Sequence, residues 1–173
     1  MRIVIAPDSY KGSISALGVA DAMARGALRV FPEAEVCKIP IADGGEGTVE
    51  ALVSATGGEF RFAQVKDPLG NPIKAQWGVL GDGKTAIIEM AAASGLPLVP
   101  ETQRDPRRTT TFGTGELLLA ALDAGLRRII IGIGGSATND GGCGMIRALG
   151  ARLTADDGSA LEEGGAALKR LAH

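Results

Sequence analysis

The first third of the chain alternates between short apolar runs and apolar residues at helical spacing. Residues 2–6 form an apolar run that predicts a strand. Serines of the helix-capping type come next, and a helical face of Leu and Ala side chains then predicts a helix that ends at Pro32. Residues 34–41 predict a second strand, and a second helix starts near Gly47 and closes at Gly57-Gly58. This order of elements predicts a parallel sheet with helices on its faces.

After the second helix the pattern changes to consecutive strands. Residues 59–66, 73–80 and 85–90 read as strands, separated by short stretches rich in Gly, Pro, Asn and Asp. Consecutive strands with short turns predict an antiparallel meander. We therefore predict an α/β protein with two α/β domains. Residues 1–66 are expected to hold a parallel, flavodoxin- or Rossmann-like sheet with flanking helices, and residues 67–173 a mixed sheet with antiparallel hairpins.

The last part of the chain returns to helix and strand. Thr114 is predicted to cap a helix, and residues 129–133 form a strongly β-prone run. A helix through residues 145–149 follows the loop after that strand. Residues 151–154 read as a further strand and residues 166–171 as a short helix.

Composition narrows the classes of function. The chain has 173 residues, a net charge of −2 and 3% aromatic residues, so neither a basic nucleic-acid surface nor an aromatic stacking platform is expected. No apolar run reaches the roughly 18 residues of a membrane helix, and we expect a soluble, cytoplasmic protein without a membrane partner. His173 is the only histidine, which excludes histidine-based catalysis. Glycine is the outlier, because its 26 residues are about twice the usual share of roughly 7%.

Three loops dense in glycine and small polar residues follow predicted strands. They are residues 7–13, 42–48 and 132–142. Open α/β sheets bind ligands at the carboxyl ends of their parallel strands. Backbone N–H groups at a helix start attract anions, and glycines let them approach phosphate oxygens closely. The three loops therefore predict a phosphate- or acid-binding cleft, although each Asp could instead cap a helix or form an Asx turn.

Polar side chains in and near these loops are the candidate ligands. Lys11 offers a mobile cation for phosphate, and the carboxylates of Asp43 and Glu46 suit Mg²⁺ or a general base. Asp140 could hold a metal or accept a proton, with hydrogen bonds added by its neighbours Ser136, Thr138 and Asn139. Arg104 opens a cluster of three arginines that is either an anion clamp or a solvated charged loop.

Two segments match the consensus sequences of nucleotide-binding motifs, but the elements predicted around them do not match the structures that those motifs require. Residues 78–85 read GVLGDGKT, but a strand follows where a P-loop needs a helix, so Lys84 is expected in a hairpin turn. Residues 132–137 fit the G-x-G-x-x-A dinucleotide pattern, but the helix is expected only near Gly141. Glu89 ends a predicted strand and is interpreted either as an acid that supports the site or as a plain strand-edge residue.

Five segments of the chain stand out, and they are APDSYKGSISA at 6–16, PIADGGEGT at 40–48, DPLGNP at 67–72, RDPRRTTTFGTGELL at 104–118 and IIIGIGGSATNDGGCGM at 129–145. Together they resemble the glycerate kinase family of bacterial glycerate and glyoxylate metabolism. The resemblance implies transfer of the γ-phosphoryl group of ATP to D-glycerate, with 2-phosphoglycerate the favoured product, in a cleft between two α/β domains. Mg²⁺ and ATP are the implied cofactors, and small molecules rather than nucleic acids the implied partners.

The resemblance gives the loop residues expected roles. The catalytic candidates are Asp8, Lys11, Asp43 and Asp140, with Asp43 and Asp140 also as Mg²⁺ ligands. Candidate contacts to substrate or phosphate are Ser9, Gly44, Gly45, Glu46, Arg104, Gly134, Gly135, Ser136, Thr138, Asn139 and Gly141.

The family's members are considerably longer than this chain. The resemblance therefore implies an N-terminal part, whose missing remainder would complete the second domain and the sheet of the first. Exposed sheet edges and apolar surface then favour self-association. The alternatives to an active kinase are a non-catalytic ligand-binding fragment and a nicotinamide-dependent oxidoreductase.

Overall fold

The computed structural model describes residues 1–10 and 12–172, so the predicted role of Lys11 falls outside the described residues. The chain begins with strand β1 (Arg2–Ile5), helix α1 (Ala16–Val30) and strand β2 (Glu35–Lys38). β1 and β2 pair in parallel, with Arg2 opposite Glu35 and Ile5 opposite Lys38. The predicted parallel strand–helix–strand unit is confirmed. We call residues 1–41 the first lobe.

Helix α1 begins with a serine cap, as its sequence predicts. Ser15 has extended backbone angles, and its hydroxyl accepts a hydrogen bond from the backbone N–H of Gly18 at 3.2 Å. This bond satisfies one of the four N–H groups that have no partner inside a helix.

Loss of the Ser15 cap is expected to weaken the first lobe moderately. Ser15→Ala should lower the free energy of unfolding by about 1 kcal/mol, because one helix-end N–H loses its acceptor. Ser54→Ala is the matched control, since Ser54 is exposed inside a helix and should change little. Urea unfolding followed by circular dichroism measures both, and equal midpoints for the two variants would refute the cap's contribution.

The second sheet contains four strands in the order β3 (Glu59–Lys66), β4 (Pro72–Val79), β5 (Thr85–Glu89) and β6 (Arg128–Gly132). β3–β4 and β4–β5 are antiparallel, whereas β5 and β6 are parallel. The predicted meander and mixed sheet are confirmed. The GVLGDGKT segment forms the β4–β5 hairpin, in which the Asp82 carboxylate accepts the amides of Lys84 and Thr85, both at 2.9 Å. No helix follows, so this segment is not a P-loop.

Four further helices pack around the second sheet or continue its loops. They are α2 (Thr48–Thr56), α3 (Ala91–Ser94), α4 (Phe112–Asp123) and α5 (Cys143–Ala148). The predicted cap of α4 was wrong: the helix begins after Thr111, and the Thr114 hydroxyl instead lies buried, 2.8 Å from the hydroxyl of Ser94. The predicted strand over 151–154 is reduced to a single bridge between Thr154 and Ala160.

Helix α2 packs on the second sheet rather than on the first. Val49 and Val53 of α2 form a buried cluster with Ile87 of β5. β3 pairs with β4 along its whole length. The domain boundary between residues 66 and 67 stays a prediction, but these contacts group α2 and β3 with the later strands. We therefore propose that the two lobes divide at the loop over residues 42–47, and we call residues 48–172 the second lobe.

The first lobe leaves large apolar side chains exposed. Val4 on β1 is 59% exposed, Val30 at the end of α1 is 69% exposed, and Phe31 beside it is 49% exposed. This lobe therefore buries little core of its own. None of the helices in the described part of the chain combines the length and apolar character needed to cross a membrane.

Candidate active site

The two larger glycine loops pack against each other through their backbones. The carbonyl oxygen of Gly44 accepts a hydrogen bond from the N–H of Gly134 at 2.9 Å. A Cβ added at Gly134 would lie 2.7 Å from Gly45 Cα, and one at Gly132 would lie 3.1 Å from Gly44 Cα. Such separations are closer than side chains tolerate, so glycine is required where the loops cross. Part of the chain's unusual glycine content therefore serves this loop–loop contact.

The loop after β6 uses several of its amides inside the protein. The N–H of Ala137 donates to the Ser94 carbonyl at 2.9 Å, and the N–H of Thr138 donates to the Ser136 hydroxyl at 3.0 Å. Five exposed residues of the loop have amides that donate no hydrogen bond among the described residues, and these are Ile133, Gly135, Ser136, Asn139 and Gly141. These five amides are the ones that remain available to an anion.

Asp140 is buried and fully engaged, at only 1% exposure. Its carboxylate accepts the N–H and hydroxyl of Thr111, at 2.8 and 2.9 Å. It also accepts the N–H groups of Gly142 and Gly144 at the start of α5, each at 3.1 Å. Both oxygens are therefore occupied by groups of the chain. This placement favours a structural role over the predicted roles of Mg²⁺ ligand and base.

A cleft of about 410 Å³ lies between the two lobes. We call it the interlobe cleft. The first lobe contributes the β1–α1 loop, with the hydroxyls of Ser9, Ser13 and Ser15. The second lobe and the connecting loop contribute mainly acidic and amide side chains, which are Glu46, Glu50, Gln76 and Glu89. Serine residues of the first lobe and acidic residues of the second lobe and connecting loop therefore line the same cleft, together with apolar side chains such as Ile14 and Val49.

Glu89 lies in the interlobe cleft at the carboxyl end of β5 and is only 9% exposed. Its Oε1 accepts the backbone N–H of Val49, in the first turn of α2, at 2.7 Å. Burial raises the pKa of the Glu89 carboxyl, the nearby charge of Glu46 adds to the rise, and the α2 amides oppose it. The start of α2 is thus occupied by a carboxylate of the chain itself. The sequence signal that could have singled out Glu89 is a charged residue directly after the apolar run Ala86-Ile87-Ile88.

Asp8 and Asp43 are both exposed and both bond locally. Asp8 accepts the N–H of Ser9 at 2.6 Å, and Asp43 accepts the N–H of Gly45 at 2.9 Å. In each carboxylate, Oδ1 is the accepting oxygen and Oδ2 accepts no hydrogen bond from the described residues. Within residues 1–10 and 12–172, no three side chains of the His, Cys, Asp or Glu type come together as a metal site. Asp43 and Asp140 therefore do not form a ready-made metal site.

Arg104 borders a second, smaller cavity of about 260 Å³. Ser136 and Thr138 line the same cavity, together with apolar side chains such as Leu96 and Val99. The Arg104 Nε donates to the Val99 carbonyl at 3.3 Å. Arg107, the next arginine of the cluster, is instead paired with Asp105 at 2.9 Å on the surface. Arg104 is therefore the arginine that the fold places beside the glycine loop.

Comparison with known proteins decides the family. The model of the glycerate kinase family matches residues 3–173. The chain belongs to the glycerate kinase family. It is 61% identical over 172 residues to the glycerate kinase of Bacillus subtilis and 59% identical over 171 residues to the glycerate 2-kinase of Escherichia coli K12. Each match covers 99% of this chain and 45% of the relative.

A solved structure gives the same result. A crystal structure assigned to glycerate kinase 2 of Salmonella typhimurium LT2 superposes with a TM-score of 0.87 at 58% identity. The match covers 99% of this chain and 47% of that one. This glycerate kinase family chain thus spans about half the length of the relatives it matches, and its mixed α/β fold is theirs over that span.

In this member of the glycerate kinase family, the helix after the β6 loop does not have the free N-terminus that binds a dinucleotide. Ten residues, 133–142, separate the end of β6 from α5, and α5 has only 6 residues. Its first amides donate to Asp140 rather than pointing outward. A pyrophosphate needs free amides at that helix start. The geometry therefore argues against the nicotinamide-dependent alternative.

Eight of the predicted site residues lie in three places. Ser9 and Glu46 share the interlobe cleft. Arg104, Ser136 and Thr138 share the smaller cavity. The glycines 44, 45 and 134 form the backbone contact between the two loops. Among the described predicted residues that have a side chain, Asp140 is the one buried in the interior of the protein.

Proposed function

We propose that this chain forms part of an enzyme that transfers the γ-phosphoryl group of ATP to D-glycerate, with 2-phosphoglycerate as the favoured product. The observation that carries the proposal is the interlobe cleft of a glycerate kinase family chain, which serine hydroxyls and carboxylates line together. The serine hydroxyls can donate hydrogen bonds to the carboxylate of D-glycerate, and the carboxylates can accept them from its two hydroxyls. Relatives with this sequence over the same span are named glycerate kinases.

The phosphates of ATP fit the exposed loop after β6 better than any helix start. The free amides of Gly135, Ser136, Asn139 and Gly141 supply uncharged donors there. Arg104 is the cation that the fold places beside the same loop. Phosphoryl transfer depends on such charge neutralisation and positioning more than on covalent chemistry.

The residues described here do not form a complete Mg²⁺ site of their own. Mg²⁺ needs only one or two carboxylates when ATP phosphates supply the remaining ligands. Asp43 keeps one oxygen free on an exposed loop, and we propose it as the carboxylate that would hold the ion. We propose Asp8 and Lys11, both in the β1–α1 loop sequence, as further contacts to substrate or phosphate.

Phosphorus NMR tests the proposed reaction directly. The 173-residue chain is incubated with MgATP and D-glycerate, and the position of the new resonance identifies the phosphorylated hydroxyl. We expect 2-phosphoglycerate and ADP in equal amounts, and no ADP in the control without D-glycerate. ADP formed equally with and without glycerate, or no binding of either ligand by a folded sample, would contradict the proposal.

A second candidate function is ligand binding without turnover. The chain spans about half of its relatives' length, and its first lobe exposes large apolar side chains such as Val4 and Val30. Binding of ATP and D-glycerate in calorimetry, combined with no product in the NMR assay, would favour this function over the complete reaction.

A further inference from the structure

Glu89 is the buried acid that neither the family motifs nor the predicted site residues include. It lies at the end of β5, where the strand meets the interlobe cleft, and opposite Gly132 of the parallel strand β6. Its backbone therefore belongs to the rigid centre of the second sheet. A side chain on such an element is held more precisely than one on a loop.

The two oxygens of Glu89 have different surroundings. Oε1 accepts the amide of Val49 at 2.7 Å and is thereby fixed against α2. The backbone amides of Gly47 and Thr48 also lie near this carboxylate and favour its charged form. Among the described residues, however, neither makes a hydrogen bond of normal geometry to Oε2, and Oε2 is not among the fully buried atoms that lack a partner. Because Glu89 lines the interlobe cleft and its Oε1 is held by α2, Oε2 is the oxygen that a ligand in the cleft can reach.

A carboxylate with this geometry suits a hydroxyl ligand. Its free oxygen is an acceptor on the side of the cleft opposite the hydroxyls of Ser9 and Ser13. The pKa of the carboxyl is raised by burial, which strengthens its affinity for a proton. A ligand hydroxyl that enters the cleft can donate a hydrogen bond to this oxygen in place of water.

We propose that Glu89 Oε2 accepts the hydrogen bond of the substrate's acceptor hydroxyl and takes its proton as phosphoryl transfer proceeds. This inference rests on the proposed function. The hydroxyl oxygen forms the new bond to the γ-phosphorus of ATP, while the bond from that phosphorus to the bridging oxygen of ADP breaks and its electrons leave with ADP. The hydroxyl proton passes to Glu89 and then to solvent. Glu89 is thus assigned as a catalytic residue.

Glu89→Gln is the informative variant, because its amide oxygen still accepts the N–H of Val49 while the anionic acceptor is lost. Hydrogen bonds to charged groups contribute about 1.5–3 kcal/mol, so we expect D-glycerate affinity to fall at least 10-fold. The turnover number, where turnover is measured, should fall about 100-fold or more. Glu116→Gln is the matched control, because Glu116 also accepts a backbone N–H, that of Lys66 at 2.6 Å, but lines neither described cavity.

Calorimetry with the 173-residue chain and three ligands distinguishes the loss of one hydroxyl contact from a general loss of ligand affinity in the variant. The ligands are D-glycerate, D-lactate, which lacks the 3-hydroxyl, and 3-hydroxypropanoate, which lacks the 2-hydroxyl. We expect Glu89→Gln to lower the affinity for D-glycerate and for the analogue that keeps the acceptor hydroxyl. The affinity for the other analogue should not change. Equal affinities of wild type and variant for D-glycerate, or equal losses for all three ligands, would overturn the role of Glu89.

The same measurements distinguish this inference from the proposed function. Wild-type chain that binds no D-glycerate would overturn both proposals, whereas binding that is indifferent to Glu89→Gln overturns only the second. Should Glu89→Gln fail to fold by circular dichroism, Glu89→Asp replaces it. Aspartate keeps the charge but withdraws the carboxylate by one methylene, and the same selective loss is expected.

Discussion

Gly132→Ala is expected to destabilise the chain by about 3 kcal/mol, near the top of the usual range for overpacking. Gly132 is buried at the end of β6, and a methyl group there would press into the carbonyl group and Cα of Gly44. Both neighbours are backbone, so neither can rotate away as a flexible side chain would. Relief requires separating the two loops, which also breaks the hydrogen bond from Gly134 to Gly44.

Gly26→Ala provides the matched control for that substitution. Gly26 lies inside α1, is exposed, and has no atom within 4 Å of an added Cβ. Alanine should therefore stabilise the helix by about 0.5–1 kcal/mol. Urea unfolding measures the free energy of unfolding of both variants. If Gly132→Ala changed it as little as Gly26→Ala does, the two loops could not be in close backbone contact.

Asp140→Ala is expected to destabilise the chain by about 4 kcal/mol, and Asp140→Asn by about 2 kcal/mol. Alanine leaves the buried amides of Thr111 and Gly144 without an acceptor, and each such group costs about 1–3 kcal/mol. Asparagine keeps one oxygen acceptor but turns an NH₂ group toward N–H donors. Both variants should therefore show lower denaturation midpoints than the wild type in the absence of any ligand.

The Asp140 experiment separates a structural role from a catalytic one. If Asp140 were a base or an Mg²⁺ ligand, Asp140→Asn would lower the activity and leave the free energy of unfolding unchanged, which is the opposite result. Asp43→Asn is the control, because Asp43 accepts the amide two residues ahead, as Asp140 does, yet is exposed. Its stability should stay within about 0.5 kcal/mol of the wild type.

The sequence pattern predicted most of the elements because their signals are local. Alternating strands, the Ser15 cap and the Asp82-Gly83 turn each depend on neighbours in the chain, and each is confirmed. The family was also predictable, since five long segments matched it. The attachment of α2 to β5 was not, because the Val49 and Val53 face suits any apolar partner.

The candidate site was harder to predict because burial is not a local property. Asp43 and Asp140 both stand beside glycines and small residues, and sequence alone treats them alike. The fold exposes Asp43 and buries Asp140 against Thr111. Glu89 was undervalued for the same reason, since its partner Val49 comes 40 residues earlier in the chain.

The backbone contact between residues 44–45 and residues 132–134 constrains how the family can diverge. The constraint falls on one side of the contact: Gly132 and Gly134 cannot gain a side chain unless the backbone of residues 44–45 moves, whereas a Cβ at Gly44 or Gly45 would stay at least 3.7 Å from the other loop. A substitution at Gly132 or Gly134 should therefore be tolerated in evolution only together with a change in the conformation of the loop over residues 42–47.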